Sequence, residues 1–248
     1  MSETCSKQTI IGEGSYGVVY KGEWKGQPCA IKQFKKHPDI YWKQEIDALR
    51  AVQGHPNILT LLTCRKFEIV TPLYHSSLAS WHAKQVPLSI SSLSHTKQVL
   101  QIKSFLKQLV SAIAYSHQKQ VVHGDIALRN IYLDETETKL VLGDWGAAEI
   151  ISSDLDKVYF EKQKKQDWKE LAFLCAKLFN VSWEIVTSAK LDIDVLGQDG
   201  LDFIHMLLAT STQKIRWWKL INHPFLNPLT DLAKSSVHTL TSFVVSRS

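Results

Sequence analysis

Three glycines stand close together near the amino terminus, in Ile11-Gly12-Glu13-Gly14-Ser15-Tyr16-Gly17-Val18-Val19, with the spacing G-x-G-x-x-G-x-V. Positions without a Cβ let backbone N–H groups approach a polyphosphate closely. A dinucleotide-binding loop of related spacing runs from a strand into a helix, whereas Val18-Val19-Tyr20 continues as a strand here, which disfavours that reading. Further on, Lys32 ends the apolar run Cys29-Ala30-Ile31. A cation at that place either solvates an edge strand or holds phosphate oxygens. Glu45 falls one turn before Leu49 on an expected helix, from which a carboxylate can reach Lys32 and fix it.

The surrounding pattern supplies elements to carry these groups. Residues 8–34 alternate short apolar runs with glycines and read as a β-meander turning at Trp24-Lys25-Gly26-Gln27. From Ile40 to Val52 the apolar residues Ile46, Leu49 and Val52 have helical spacing, ending near Gly54 and His55-Pro56. Ile58 to Thr63 and Phe67 to Leu73 read as strands. Beyond Tyr74 helices dominate: Ile102 to Gln118 first, then Trp168 to Phe179, Leu201 to Ala209 and Arg216 to Asn222. Two short strands, Ile131 to Leu133 and Leu140 to Leu142, interrupt them, and Gln85 to Thr96 reads as a surface loop. The expected fold class is α+β and bilobal: a small β-rich lobe with one helix over residues 1–74, joined to a larger, mainly α lobe over 75–248.

A chain of 248 residues needs no disulfide or metal staple for its core, and 44% hydrophobic with 21% charged residues is ordinary globular usage. The net charge of +5 falls short of a nucleic-acid footprint, so no nucleic-acid partner is expected. Cys5, Cys29, Cys64 and Cys175 are scattered and read as reduced thiols. The opening residues lack a secretory pattern, and Leu171 to Phe179 is far shorter than the roughly 20 apolar residues of a membrane span. A cytoplasmic protein without a transmembrane segment is the expectation.

The centre of the chain reads Val121-Val122-His123-Gly124-Asp125-Ile126-Ala127-Leu128-Arg129-Asn130, followed by Leu142-Gly143-Asp144-Trp145-Gly146. Here the sequence resembles the protein kinase family, whose catalytic loop is H-R-D-x-x-x-x-N and whose metal loop is D-F-G. The order of glycine loop, strand lysine, helix glutamate, His55-Pro56-Asn57 turn, long helix and two loops agrees with that family. So do Lys214-Ile215-Arg216 and His223-Pro224-Phe225, and the resemblance spans about residues 8–226. It implies ATP as co-substrate, Mg2+ or Mn2+ as cofactor and a protein hydroxyl as acceptor. Asp125 would serve the attacking hydroxyl, Asn130 and Asp144 would hold metal, and Lys32, held by Glu45, would meet phosphate. Thr71 would guard the back of the nucleotide pocket, with Pro72-Leu73-Tyr74 as hinge. Ile11, Val19 and Ala30 would be its apolar walls, or plain lobe core.

Four departures qualify the resemblance. Gly124 replaces the arginine that binds an activation-loop phosphate in the family, implying activity independent of such phosphorylation, with Ser152, Ser153 and Tyr159 left as surface hydroxyls. Only Ala147 to Gln166 separate the metal loop from Asp167-Trp168, which resembles the start of the family's central helix, and no A-P-E segment is present. Arg216 therefore lacks its usual glutamate, for which Glu161 or Glu170 is a substitute. Trp145 replaces phenylalanine, which is tolerable if its N–H finds an acceptor. Ala127 and Arg129 give the loop a tyrosine-kinase-like cast. A nucleotide-binding pseudokinase scaffold and a small-molecule kinase stand as alternatives. The economy of the chain suggests, by analogy only, a viral or bacterial mimic acting in a host-cell cytosol.

Overall fold

The computed structural model describes residues 5–85, 93–151, 157–183, 196–209 and 216–227. Its first part is an antiparallel five-stranded sheet: β1 (Cys5–Gly14), β2 (Gly17–Trp24), β3 (Gln27–Phe34), β4 (Thr63–Arg65) and β5 (Glu68–Pro72), in the order β1-β2-β3-β5-β4. The expected meander is present, with Trp24 facing Gln27 across the two-residue turn. Register places Lys32 opposite Val19 and Ala30 opposite Thr71, so the cation and the apolar walls share the cleft side of the sheet.

Helix α1 (Pro38–Ala51) packs beneath that sheet, burying Glu45, Ile46, Ala48 and Leu49. Pro38 suits its first turn, where the missing N–H has no intrahelical partner to lose. Three of those buried residues are apolar and one is a carboxylate, which needs a charge partner at that depth. The lower part is built around α3 (Leu93–Gln118), whose Ile102, Phe105, Leu106, Leu109, Val110 and Ile113 are fully buried. Each such side chain is worth about 1.5–3 kcal/mol of burial. Around it lie α2 (Leu78–Lys84), α4 (Lys157–Leu178), α5 (Gly197–Ala209), α6 (Trp217–Ile221) and the short strands β6 (Ser76–Ser77), β7 (Val121–Val122), β8 (Ile131–Leu133), β9 (Leu140–Leu142) and β10 (Glu149–Ile150). The α+β class is borne out, with an antiparallel-sheet first part and a helical second part. Among the described residues no helix is long and apolar enough to cross a membrane.

Three expectations need correction. Ile58 to Thr63 is not a strand of the sheet: Leu59 N donates to Leu142 O, Leu142 N to Asn57 O and Leu62 N to Val70 O, so the segment is a strap whose backbone is satisfied by two different partners. Second, α4 begins at Lys157, and Asp167 lies in its interior. Phe160 is buried against His117 near Trp168, which extends the inward stripe, but the charged residues between Phe160 and Trp168 hide that stripe in sequence. Third, α3 starts at Leu93, inside the expected loop Gln85–Thr96, of which residues 86–92 lie outside the described residues.

Candidate active site

A cleft of about 950 Å3 opens between the sheet and the helical part. Ile11, Gly12, Gly14, Gly17 and Val19 form its upper wall, with Ala30 and Thr71 behind and Leu73 in the connection between the two parts. Lys32, Glu45, Asp125, Asn130 and Asp144 line it as well, so every residue to which the resemblance gave a catalytic, nucleotide-binding or metal-holding role reaches one cavity. The glycines differ in what they do. A Cβ on Gly14 would enter open space, whereas one on Gly17 would stand 2.0 Å from the Gln33 carbonyl oxygen. Gly17 is therefore demanded by close approach of β2 to β3, and Gly14 by nothing in the protein itself.

Lys32 Nζ donates to Glu45 Oε2 at 2.6 Å and to Asp144 Oδ1 at 2.7 Å. Burial works against the Lys32 ammonium, but the Glu45 and Asp144 charges outweigh it and hold its pKa above the ordinary lysine value. Burial likewise pushes the Asp144 carboxyl up, and the Lys32 charge and hydrogen bond overcome that and bring it below its ordinary value. Glu45 is the most enclosed of the three. Desolvation pushes its pKa up, the shared Lys32 offsets this only in part, and Asp144 adds repulsion. Asp144 itself sits at φ 54, ψ 71, a left-handed conformation uncommon outside glycine, held there by Lys32 and by the Gly146 N–H.

Opposite this cluster, Asp125 accepts from Arg129 Nη2 at 2.6 Å on each carboxylate oxygen, and Asn130 Nδ2 donates to Oδ2 at 2.8 Å and to the Asp125 carbonyl at 2.8 Å. With its amide N–H groups so committed, Asn130 keeps its carbonyl oxygen available for a cation. His123 ties the two loops together. Its Nδ1 accepts the Asp125 N–H at 3.2 Å, and its Nε2 faces the Gly143 carbonyl at 2.9 Å. A carbonyl can only accept, so the ring proton is on Nε2.

Asp167 anchors the loop from below. Its fully buried carboxylate accepts from His117 Nε2 (2.7 Å), His123 N (2.9 Å) and Gly124 N (2.8 Å). Burial pushes its pKa up, but His117 and the backbone donors more than offset that and hold it below its ordinary value. One helical turn on, Glu170 accepts the Ile126 N–H at 2.8 Å and the Gln166 amide at 3.0 Å. Neither role stands out in the sequence. The available cue is a pair of acids one turn apart at the start of an apolar helix, neither with a base four residues on, which need donors from elsewhere in the fold. Glu161 pairs with Lys164, so the carboxylates expected to serve Arg216 have other partners. Lys214 and Ile215 lie outside the described residues.

Gly124 has φ 76, and a Cβ there would stand 2.9 Å from the Ala147 carbonyl oxygen. Gly124→Arg is therefore expected to lose about 1–3 kcal/mol of stability rather than to restore a family function. Denaturant unfolding checks this, and an unchanged midpoint would count against the strain account. Trp145 meets the condition set for it: fully buried, it donates Nε1–H to the Leu142 carbonyl at 3.2 Å. The turn it begins packs on α1, where Gln44 Nε2 donates to Ala148 O at 3.0 Å. The turn after Asp144 thereby fixes the helix that carries Glu45.

The site thus joins a glycine-turned β-hairpin, a lysine shared by two carboxylates, and an aspartate–asparagine pair across one cleft. The family described as protein kinase domain matches residues 5–168. A protein of Acanthamoeba polyphaga mimivirus named as a serine/threonine-protein kinase is 29% identical over 157 residues, 61% of this chain and 28% of that protein. One from Dictyostelium discoideum is 27% identical over 227 residues, 83% of this chain and 23% of its own length. Casein kinase II subunit alpha' of Saccharomyces cerevisiae is 31% identical over 150 residues, 59% of this chain and 42% of that subunit. The chain spans less than half the length of each of these relatives. With the cleft and its charged groups arranged as described, the family match over residues 5–168 makes the chain a member of the protein kinase family.

Proposed function

We propose that the chain transfers the γ-phosphoryl group of ATP to a hydroxyl of a protein substrate. The observation that carries this reading is the convergence of Lys32, Asp144, Asn130 and Asp125 on one cleft. Lys32, held by Glu45, is positioned to meet phosphate oxygens, and the backbone N–H groups at Gly12, Gly14 and Gly17 to cradle them. The oxygen donors of Asn130 and Asp144 suit a hard cation, and Mg2+ or Mn2+ bound there would neutralise phosphate charge. Asp125 orients the acceptor hydroxyl and takes its proton as the O–P bond forms and ADP leaves. Thr71, Leu73, Ile11, Val19 and Ala30 would enclose the adenine. The catalytic unit would run over about residues 8–226, divided near residue 74. A cytoplasmic setting, supplying ATP, suits the four cysteines, none of which is in a disulfide among the described residues.

Arg129 bears on the acceptor. A guanidinium fixed at both Asp125 oxygens would also stabilise negative charge developing on a phenol, which favours tyrosine. The relatives named as serine/threonine kinases favour an aliphatic hydroxyl. The backbone of the loop is held by the Asp167 and Glu170 carboxylates, which supports activity that does not require activation-loop phosphorylation. A small-molecule kinase is the second reading, because α4 starts at Lys157, where the family resemblance calls for a peptide platform. The test is incubation of the chain with γ-labelled ATP, Mg2+ and a cell lysate, with phosphosites scored by acceptor type. Incorporation into protein is expected. Thermal stabilisation by ATP without transfer to protein, sugars or inositols would replace the enzyme by a scaffold.

A further inference from the structure

The segment between Asp144 and Asp167 contains a contact that phosphoryl transfer does not use. Tyr159, in the first turn of α4, is 41% exposed, and its hydroxyl donates to Glu149 Oε2 at 2.7 Å. Glu149 pairs with Val122 in the β10–β7 ladder, and Ile151 N continues that ladder to Gln120 O at 2.9 Å. Strand β7 runs directly into His123-Gly124-Asp125. The phenol therefore clips the start of α4 to the strand pair at the base of the catalytic loop, while Asp167 and Glu170 hold the same loop from further along α4.

The charges at this clip are ordered for a neutral phenol. Its oxygen faces the Glu149 carboxylate and the neutral Gln163 amide, and the catalytic loop offers glycine at 124 rather than a cation. A phosphotyrosine carries about −1.5 to −2 charges at pH 7 and no donor proton. It would lose the hydrogen bond to Glu149 and be repelled by it. Lys162, one turn along the helix, could attract the phosphate, but a side chain that turned toward it would also leave Glu149.

We propose that Tyr159 is a phosphoacceptor site whose modification releases α4 from β10 and lowers activity. The donor reaction is that of a tyrosine-directed kinase with ATP. The phenol oxygen forms the bond to Pγ, the bond from Pγ to the β,γ-bridging oxygen breaks, ADP departs, and the phenol proton passes to the donor's base. The consequence for activity rests on the function proposed above, whereas release of the clip does not.

The experiment treats the full chain with a promiscuous tyrosine kinase and ATP, maps the phosphosites, and follows amide hydrogen exchange together with transfer rate. Wild type, Tyr159→Phe and Glu149→Gln are compared, the donor kinase being removed before rates are taken. Phosphate on Tyr159 is expected to speed exchange over residues 149–151 and 121–122 about tenfold and to lower the transfer rate about five- to tenfold. Treatment should change neither in Tyr159→Phe and should have a smaller effect in Glu149→Gln, whose amide can donate to phosphate. Faster exchange in a chain with no transfer activity in any state supports the release and removes the activity reading instead. Unchanged exchange with Tyr159 phosphorylated, a raised transfer rate, or phosphate on Tyr16 while Tyr159 stays unmodified would each overturn the proposal.

Discussion

Asp125→Asn is expected to lower phosphoryl transfer by about 10²- to 10⁴-fold, the usual contribution of a positioned general base. The substitution keeps the side chain's size and removes its negative charge. Arg129 and Asn130 now donate to that carboxylate, so the amide that replaces it would meet two donors with one acceptor oxygen and a reduced hold on the loop. The residues proposed to contact nucleotide, Lys32 and the glycine strands, lie on the other wall of the cleft, so ATP affinity should stay within about twofold. Initial rates and an ATP titration separate the two effects. Equal residual transfer by the wild type and the variant would remove Asp125 from the chemistry.

The second large effect is on stability. Asp167→Ala should cost about 3–5 kcal/mol, because it strands the buried His117 ring and His123 N–H and also removes the acceptor of the more exposed Gly124 N–H. Denaturant unfolding would show a lower midpoint with little change in slope. The pH dependence has a definite sign. A carboxyl held below its ordinary value binds fewer protons in the folded chain than in the unfolded one, so its stabilisation is complete above about pH 4 and is lost as pH falls through the lowered folded value. The wild type should therefore lose stability on acidification over a window in which the alanine variant changes less. Parallel acid profiles for the two proteins would mean that Asp167 is not the group responsible.

Much of the cleft was legible because its residues act through type and spacing. Glycines at positions 12, 14 and 17, a lysine ending a strand and the Asp125–Asn130–Asp144 order constrain chemistry directly, and all reach one cavity. What escaped the sequence depends on long-range satisfaction of polar groups. Asp167 is meaningful only once the His123 and Gly124 N–H groups are seen to need an acceptor. The strap at Ile58 has the composition of a strand, and only its partners, Leu142 on one side and Val70 on the other, deny it that role. For α4, the lysines between Phe160 and Trp168 cover an inward stripe by lying along it, as Lys164 does over the Phe160 ring. Periodicity scores residue type, whereas burial of a lysine stem is a matter of atoms.

That strap has a mechanical consequence. Asn57 is pinned to the Leu140 carbonyl and to Gln108 of α3, while a second crossing of the chain passes through Leu73 and Tyr74. Suspended at two covalent points, the upper sheet is left one easy freedom, a rocking about the line that joins them. Sliding sideways would tear the Asn57 anchors. Breathing of the cavity mouth should then carry the glycine turn through the widest arc and move Lys32, tied across the cleft to Asp144, the least.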